Sequence, residues 1–215
     1  MKYTKYFLLT LLVVILDQAL KLAVHFNMDL NSEIMVFGDW FRIHYILNNG
    51  MAFGLKLDWQ YGKLLLTTFR LLAMFGIGYY LIYLVNKGVP KGLLWSVALI
   101  LGGAIGNLVD SIFYGVFLNN APLDALTPWF HGQVIDMLYF PIFQGYLPDW
   151  IPIWGGDYFE FFRPIFNLAD SSIFVGVVII LLGQKKFFAE PDSSDDSETT
   201  ANQESVVDTD QSEQN

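Results

Sequence analysis

Cysteine is absent from the 215-residue chain, which excludes disulfides, thiol nucleophiles and cysteine-ligated metals. Charge is scarce: Asp, Glu, Lys and Arg make up 15% of the residues, against 54% hydrophobic and 17% aromatic. Apolar runs of the length seen here exceed what a soluble domain of this size can bury. Basic residues are missing altogether from position 189 onward, a stretch that holds nine of the 21 acids. The net charge of −9 therefore belongs to the end of the chain, and the preceding body holds twelve residues of each sign. That end, 189–215, is Ser, Thr, Asp, Glu and Gln with almost nothing apolar, and reads as a disordered tail that cannot offset its ordering entropy. No nucleic-acid partner is expected. His25, His44 and His131 share no metal-ligand spacing and read as loop residues.

Four stretches, about 6–23, 64–85, 92–113 and 164–182, are long and apolar enough to cross roughly 30 Å of hydrocarbon as helices. A secretory signal peptide is the competing reading of the first, but Asp17, Gln18 and Lys21 stand where small neutral cleavage-site residues belong. Lys2 and Lys5 precede span one, Lys87 and Lys91 flank the tight turn between spans two and three, and Lys185 and Lys186 close span four. One orientation puts all six in the cytoplasm, with both termini. The loops 24–63 and 114–163 then face outward. The second is rich in aromatics, including Trp129, Trp150 and Trp154, and suits the headgroup level. The first contains FRIHYILNNGMAFG, where an Asn-Asn-Gly turn follows a β-prone run and predicts a small extracytoplasmic hairpin. The expected fold is an all-α membrane protein of four transmembrane helices with that β element and an aromatic interfacial loop. Residues 1–188 form the membrane domain, ahead of a cytoplasmic acidic tail.

Helical rise assigns each polar group a height. Asp17 lies about 18 Å above Lys5, Asn107 and Asp110 about 24 and 28 Å above Lys91, and Asp170 about 9 Å below an outer helix entry placed at Pro164. The polar groups of three helices thus meet in the outer part of the bilayer. Asp17 with Lys21, Gly103 with Asn107 and Asp110, and Asn167 with Asp170 are spaced three or four apart, each set on one helix face. Ionisable groups in hydrocarbon line a bundle interior or a wet cavity and pair with one another. Gly102 and Gly106 form a GxxxG that suits helix packing. Asn167 and Asp170 also admit a purely structural reading, as a polar clamp between helices and a partner for a basic residue.

Five motifs stand in order: DQALK at 17–21, NNGMAF at 48–53, GGAIGNLVD at 102–110, VIDM at 134–137 and FNLAD at 166–170. Together, on four spans, they resemble the bacterial lipoprotein signal peptidases, also called signal peptidase II, which are intramembrane aspartic proteases. The resemblance implies that Asp136 and Asp170 are the catalytic pair. It further implies that Asp17, Lys21, Asn48, Gly50, Gly103, Asn107, Asp110 and Asn167 shape and line the substrate site. The implied substrate is a prolipoprotein whose cysteine already carries diacylglyceryl, cut just before that cysteine by a monomeric enzyme among the lipids of the inner membrane. No metal or organic cofactor is implied. Where the family pattern has an arginine after the GNxxD aspartate, this chain has Ser111, and Arg70 or Arg163 is read as its replacement. The spacings from Asp110 to Asp136 and from Asp136 to Asp170 are longer than in compact members. Two other classes compete: a transporter or channel with an Asp/Lys relay, and an assembly factor whose polar stripes only join helices. The absence of repeat symmetry and the single polar depth weigh against transport.

Overall fold

A computed structural model describes residues 2–49, 61–141, 143–146, 148–152, 154–161 and 164–187. Among them, four helices are long and apolar enough to cross a membrane. These are α1 (Thr4–Asn27), α2 (Gly62–Lys87), α3 (Lys91–Val109) and α5 (Leu168–Phe187). α3 continues through a π-helical turn, Asp110–Tyr114, into the three-residue α4 (Gly115–Phe117).

The first helix shows what kind of solvent the bundle suits. Its buried residues, Tyr6, Thr10, Val13, Asp17, Lys21 and Val24, recur every three or four positions and form one stripe. Leu8, Leu11, Leu12, Ile15 and Leu16 face outward. Charge is inside and hydrocarbon outside, the reverse of a soluble helix and the arrangement lipid favours. α2 stops at Gly88, whose left-handed φ of 73° lets its N–H bond the Leu84 carbonyl, and α3 starts just after Pro90. Leu81, Leu84, Val85, Leu93, Leu94 and Val97 fill the bundle at that end.

α3 is central, packing against α1, α2 and α5. Its small residues make this possible. A Cβ on Gly102 would lie 2.8 Å from Cβ of Val13, and one on Gly103 would run into the Ala169 carbonyl. The GxxxG reading as packing is therefore correct for Gly102, and Gly103 does the same for α5.

At the opposite end lies an antiparallel sheet of β1 (Glu33–Phe37), β2 (Phe41–Asn48), β3 (Val134–Tyr139) and β6 (Ile165–Phe166), in that order. β4 (Phe143–Tyr146) and β5 (Tyr158–Phe161) pair separately. Ile46 stands opposite Asp136, Leu47 opposite Ile135 and Asn48 opposite Val134. Because strand side chains alternate, Ile135 and Met137 join Val24, Tyr45 and Tyr114 in an apolar cluster, and Asp136 between them takes the other face.

Three expectations need correction. The β-prone run is strand β2, whose hairpin partner β1 precedes it, with the turn at Gly38–Trp40; the expected Asn-Asn-Gly turn runs into Gly50, outside the described residues. The fourth span starts at Leu168, not Pro164. Ile165 and Phe166 pair with Tyr139 and Leu138 as a sheet edge, because an aromatic and a β-branched residue gain more there than in a helix capped one residue later. His25 sits in the last turn of α1 and His44 in β2, so only His131 is a loop residue.

Candidate active site

The polar groups of α1, α3 and α5 converge with two from the sheet. Asp17, Lys21, Asp110 and Asn167 are 0% exposed and Asp136 is 1% exposed. Lys21 is the hub of one half. Its Nζ lies 2.7 Å from Asp17 Oδ2 and 2.8 Å from Asp110 Oδ2, and donates to Asn107 Oδ1 at 3.0 Å. Each carboxylate has a second task. Asp17 Oδ1 accepts the Ala169 N–H at 2.9 Å, and Asp110 Oδ2 accepts the Ile135 N–H at 3.3 Å. An ion triad on α1 and the π-helical turn that follows α3 thus fixes both the start of α5 and the strand that carries Asp136.

The other half is the pair of carboxylates. Asn167 is the N-cap of α5: its Oδ1 accepts the Asp170 N–H at 2.9 Å, satisfying a backbone donor that the helix cannot. Its Nδ2 donates to Asp136 Oδ1 at 2.7 Å. One amide therefore touches both Asp residues. Asn48 Nδ2 donates to Asp136 Oδ2 at 2.9 Å, and Asn107 Nδ2 to Asp170 Oδ1 at 2.7 Å. Asp170 is half-buried and Asp136 sealed, so the pair has an open and a closed member. Burial, followed by the neighbouring Asp170 charge, pushes the Asp136 carboxyl up to about 7, against the opposing pull of the Asn48 and Asn167 amides.

Every predicted site residue among the described ones lies in this cluster or supports it. Gly103 supports by absence of a side chain. Gly50 and Arg163 lie outside the described residues, as does the tail 189–215. Asn167 precedes α5 and caps it, so the expected shared helix face with Asp170 is a capping contact. Asp110 opens a π-helical turn, a local widening common at functional sites. Sequence reasoning passed over Gln18, whose Nε2 donates to Asp17 Oδ2 at 3.1 Å, Asp110 Oδ1 at 2.9 Å and the Gly106 carbonyl at 3.1 Å. A glutamine inside an apolar run beside an aspartate was the available signal. Tyr114, which donates to Gln18 Oε1 at 2.7 Å, sits beyond the reach of such a signal.

The family model described as signal peptidase (SPase) II matches residues 9–185. The chain belongs to the signal peptidase II family. Among signal peptidase II relatives, the lipoprotein signal peptidase of Amoebophilus asiaticus is 46% identical over 193 residues, covering 88% of this chain and 81% of that protein. That of Porphyromonas gingivalis is 42% identical over 188 residues, covering 81% and 80%. A solved structure of a bacterial membrane enzyme, determined in meso at 2.3 Å resolution, is 25% identical with a TM-score of 0.58 over 89% of this chain and 94% of that one. Membership of the signal peptidase II family makes this chain a membrane peptidase and gives no support to a transporter or channel.

Proposed function

We propose that this is an aspartic endopeptidase that removes signal peptides from diacylglyceryl-modified prolipoproteins, cutting just before the lipidated cysteine, with Asp136 and Asp170 as its catalytic residues. The observation that carries the reading is the Asn167 amide, which bonds the carboxylate of one aspartate and the backbone of the other. Two carboxylates this closely tied do not both ionise cheaply and share a proton. Asp136, the more buried member, holds it near neutral pH. Asp170, open to the site, takes a proton from water as the oxygen attacks the scissile carbonyl carbon, while Asp136 gives its proton to the carbonyl oxygen. The tetrahedral intermediate collapses when Asp170 passes the proton it took from water to the amide nitrogen, the C–N bond breaks, and Asp136 takes back the hydroxyl proton as the carbonyl re-forms. Asn48, Asn107 and Asn167 hold the carboxylates in position. Asp17, Lys21, Asp110 and Gly103 keep the underlying helices in place, and Gly50 follows the strand that ends at Asn48.

The positive-inside pattern supports cytoplasmic termini and a site toward the outer face of the bacterial inner membrane. The enzyme works as a monomer among membrane lipids, with residues 1–188 sufficient and the acidic tail dispensable. Purified protein is expected to cleave a diacylglyceryl-modified prolipoprotein, leave the unlipidated precursor intact and be blocked by globomycin, the family's characteristic inhibitor. Asp136→Asn and Asp170→Asn should each abolish turnover in a folded protein. Full activity in either variant would remove the assignment of the pair.

A further inference from the structure

α2 contributes no acid or amide to the site, yet Arg70 turns from it toward the polar cluster. Its Nη1 donates to Ser111 Oγ at 2.9 Å. Ser111 is fully buried, and its hydroxyl donates in turn to the Asn107 carbonyl at 2.9 Å. Asn107 donates through its side chain to Asp170. Three hydrogen bonds through two residues therefore lead from the guanidinium to the open member of the carboxylate pair.

The charges around that pair come from every side. α1 supplies Asp17 and Lys21, α2 supplies Lys63 and Arg70, α3 with its π-helical turn supplies Asp110 and the phenol of Tyr114, β3 supplies Asp136 and α5 supplies Asp170. Lys21 is held between Asp17 and Asp110. Lys63 donates to the Asn49 carbonyl at 2.8 Å, and Tyr114 to Gln18. With the Asp17–Lys21–Asp110 triad at one negative charge and the pair sharing one proton at another, a second cation is required for the cluster to approach neutrality.

We propose that Arg70, anchored by Ser111, is the counter-charge of the Asp136/Asp170 pair and sets the pH range over which the pair carries one proton. It is a positioning residue, and the inference rests on the reading of that pair as the catalytic one. Arg70→Gln keeps a donor for Ser111 and removes the charge. A lost neighbouring cation favours the protonated forms, so both limbs of the kcat/KM profile should move up by about one pH unit. Arg70→Lys keeps the charge and should leave the limbs within about 0.3 units at reduced activity. Superimposable limbs for wild type and Arg70→Gln would overturn the proposal, whatever the amplitude. If Arg70→Gln turns over too slowly, infrared titration of the protonated carboxyl band needs no turnover: the same upward shift supports the proposal and an unmoved band refutes it. Should Asp136→Asn or Asp170→Asn remain active, the reading of the pair fails. If both are dead and the limbs do not move, only the role of Arg70 fails.

Discussion

Lys21→Met tests whether the ion triad holds the bundle together. The ammonium is completely buried, 2.7 and 2.8 Å from two carboxylates that are just as buried. Methionine fills nearly the same volume, so the change removes charge with little loss of packing. What remains is a pair of buried anions without a cation. Breaking a buried ion pair from one side costs about 3–5 kcal/mol, whereas removing all its charges together is often close to neutral. At about 2–4 °C per kcal/mol for a chain of this size, the unfolding midpoint in detergent micelles should drop by roughly 6–20 °C. The compensated variant Asp17→Asn/Lys21→Met/Asp110→Asn keeps an acceptor for the Ala169 and Ile135 N–H groups and carries no charge. It should recover most of the loss, ending within about 1–2 kcal/mol of wild type. Tryptophan fluorescence during a thermal ramp reads both. A single variant that unfolds within 2 °C of wild type, or a triple variant no better than the single, would refute the idea that these three charges balance one another.

Asp136 predicts a pH dependence of stability. Its folded carboxyl is pushed up to about 7, above the roughly 3.9 of an unfolded aspartate. The folded protein holds that proton between about pH 4 and 7 and the unfolded chain does not, so stability falls as pH rises through this range, by up to about 4 kcal/mol, and levels off above it. Asp136→Asn should flatten the slope in denaturation curves taken from pH 4 to 8. Asn167→Ser retains an N-cap oxygen and should stay within about 1 kcal/mol of wild-type stability, yet lose at least tenfold in kcat because the amide donor to Asp136 is gone. Asn167→Ala should lose about a further 1 kcal/mol for the missing cap, and equal stability of the two would count against the capping role. Gly103→Ala drives a methyl into the Ala169 carbonyl and should cost about 1–3 kcal/mol, with activity falling as α5 is displaced beside Asp170.

The helices were legible because lipid imposes a simple demand: about twenty apolar residues, with the exceptions turned inward. Asp17, Lys21, Asn107 and Asp110 stood out as such exceptions, and spacing alone put them on the correct faces. Asp136 was different. It lies on a strand inside an aromatic segment, where an aspartate is unremarkable, and only the VIDM motif in its order marked it. The β6 error has a related cause. Ile165 and Phe166 fit a helix as well as a strand, and the choice depends on Leu138 and Tyr139, more than twenty residues earlier. Asn167 as a cap follows from that choice, since a helix starting at Pro164 would have placed it in the interior. Gln18 could have been found by the same reasoning as its neighbour, but a neutral amide attracts less attention than a charge.

The contact between Asp17 and Lys21 also bears on how the chain is made. α1 precedes the other three spans described, and the partners of its buried face, Asp110 and the Ala169 N–H, lie about ninety and one hundred and fifty positions further on. An aspartate and a lysine entering hydrocarbon alone cost about 2.5–3.5 kcal/mol each at a helix centre. Spaced four apart, they form an ion pair within one helix, which needs none of the three later spans. The first helix thus carries its own temporary neutralisation into the bilayer. Assembly of the site then becomes an exchange in which Asp110 and α5 join a pair already made.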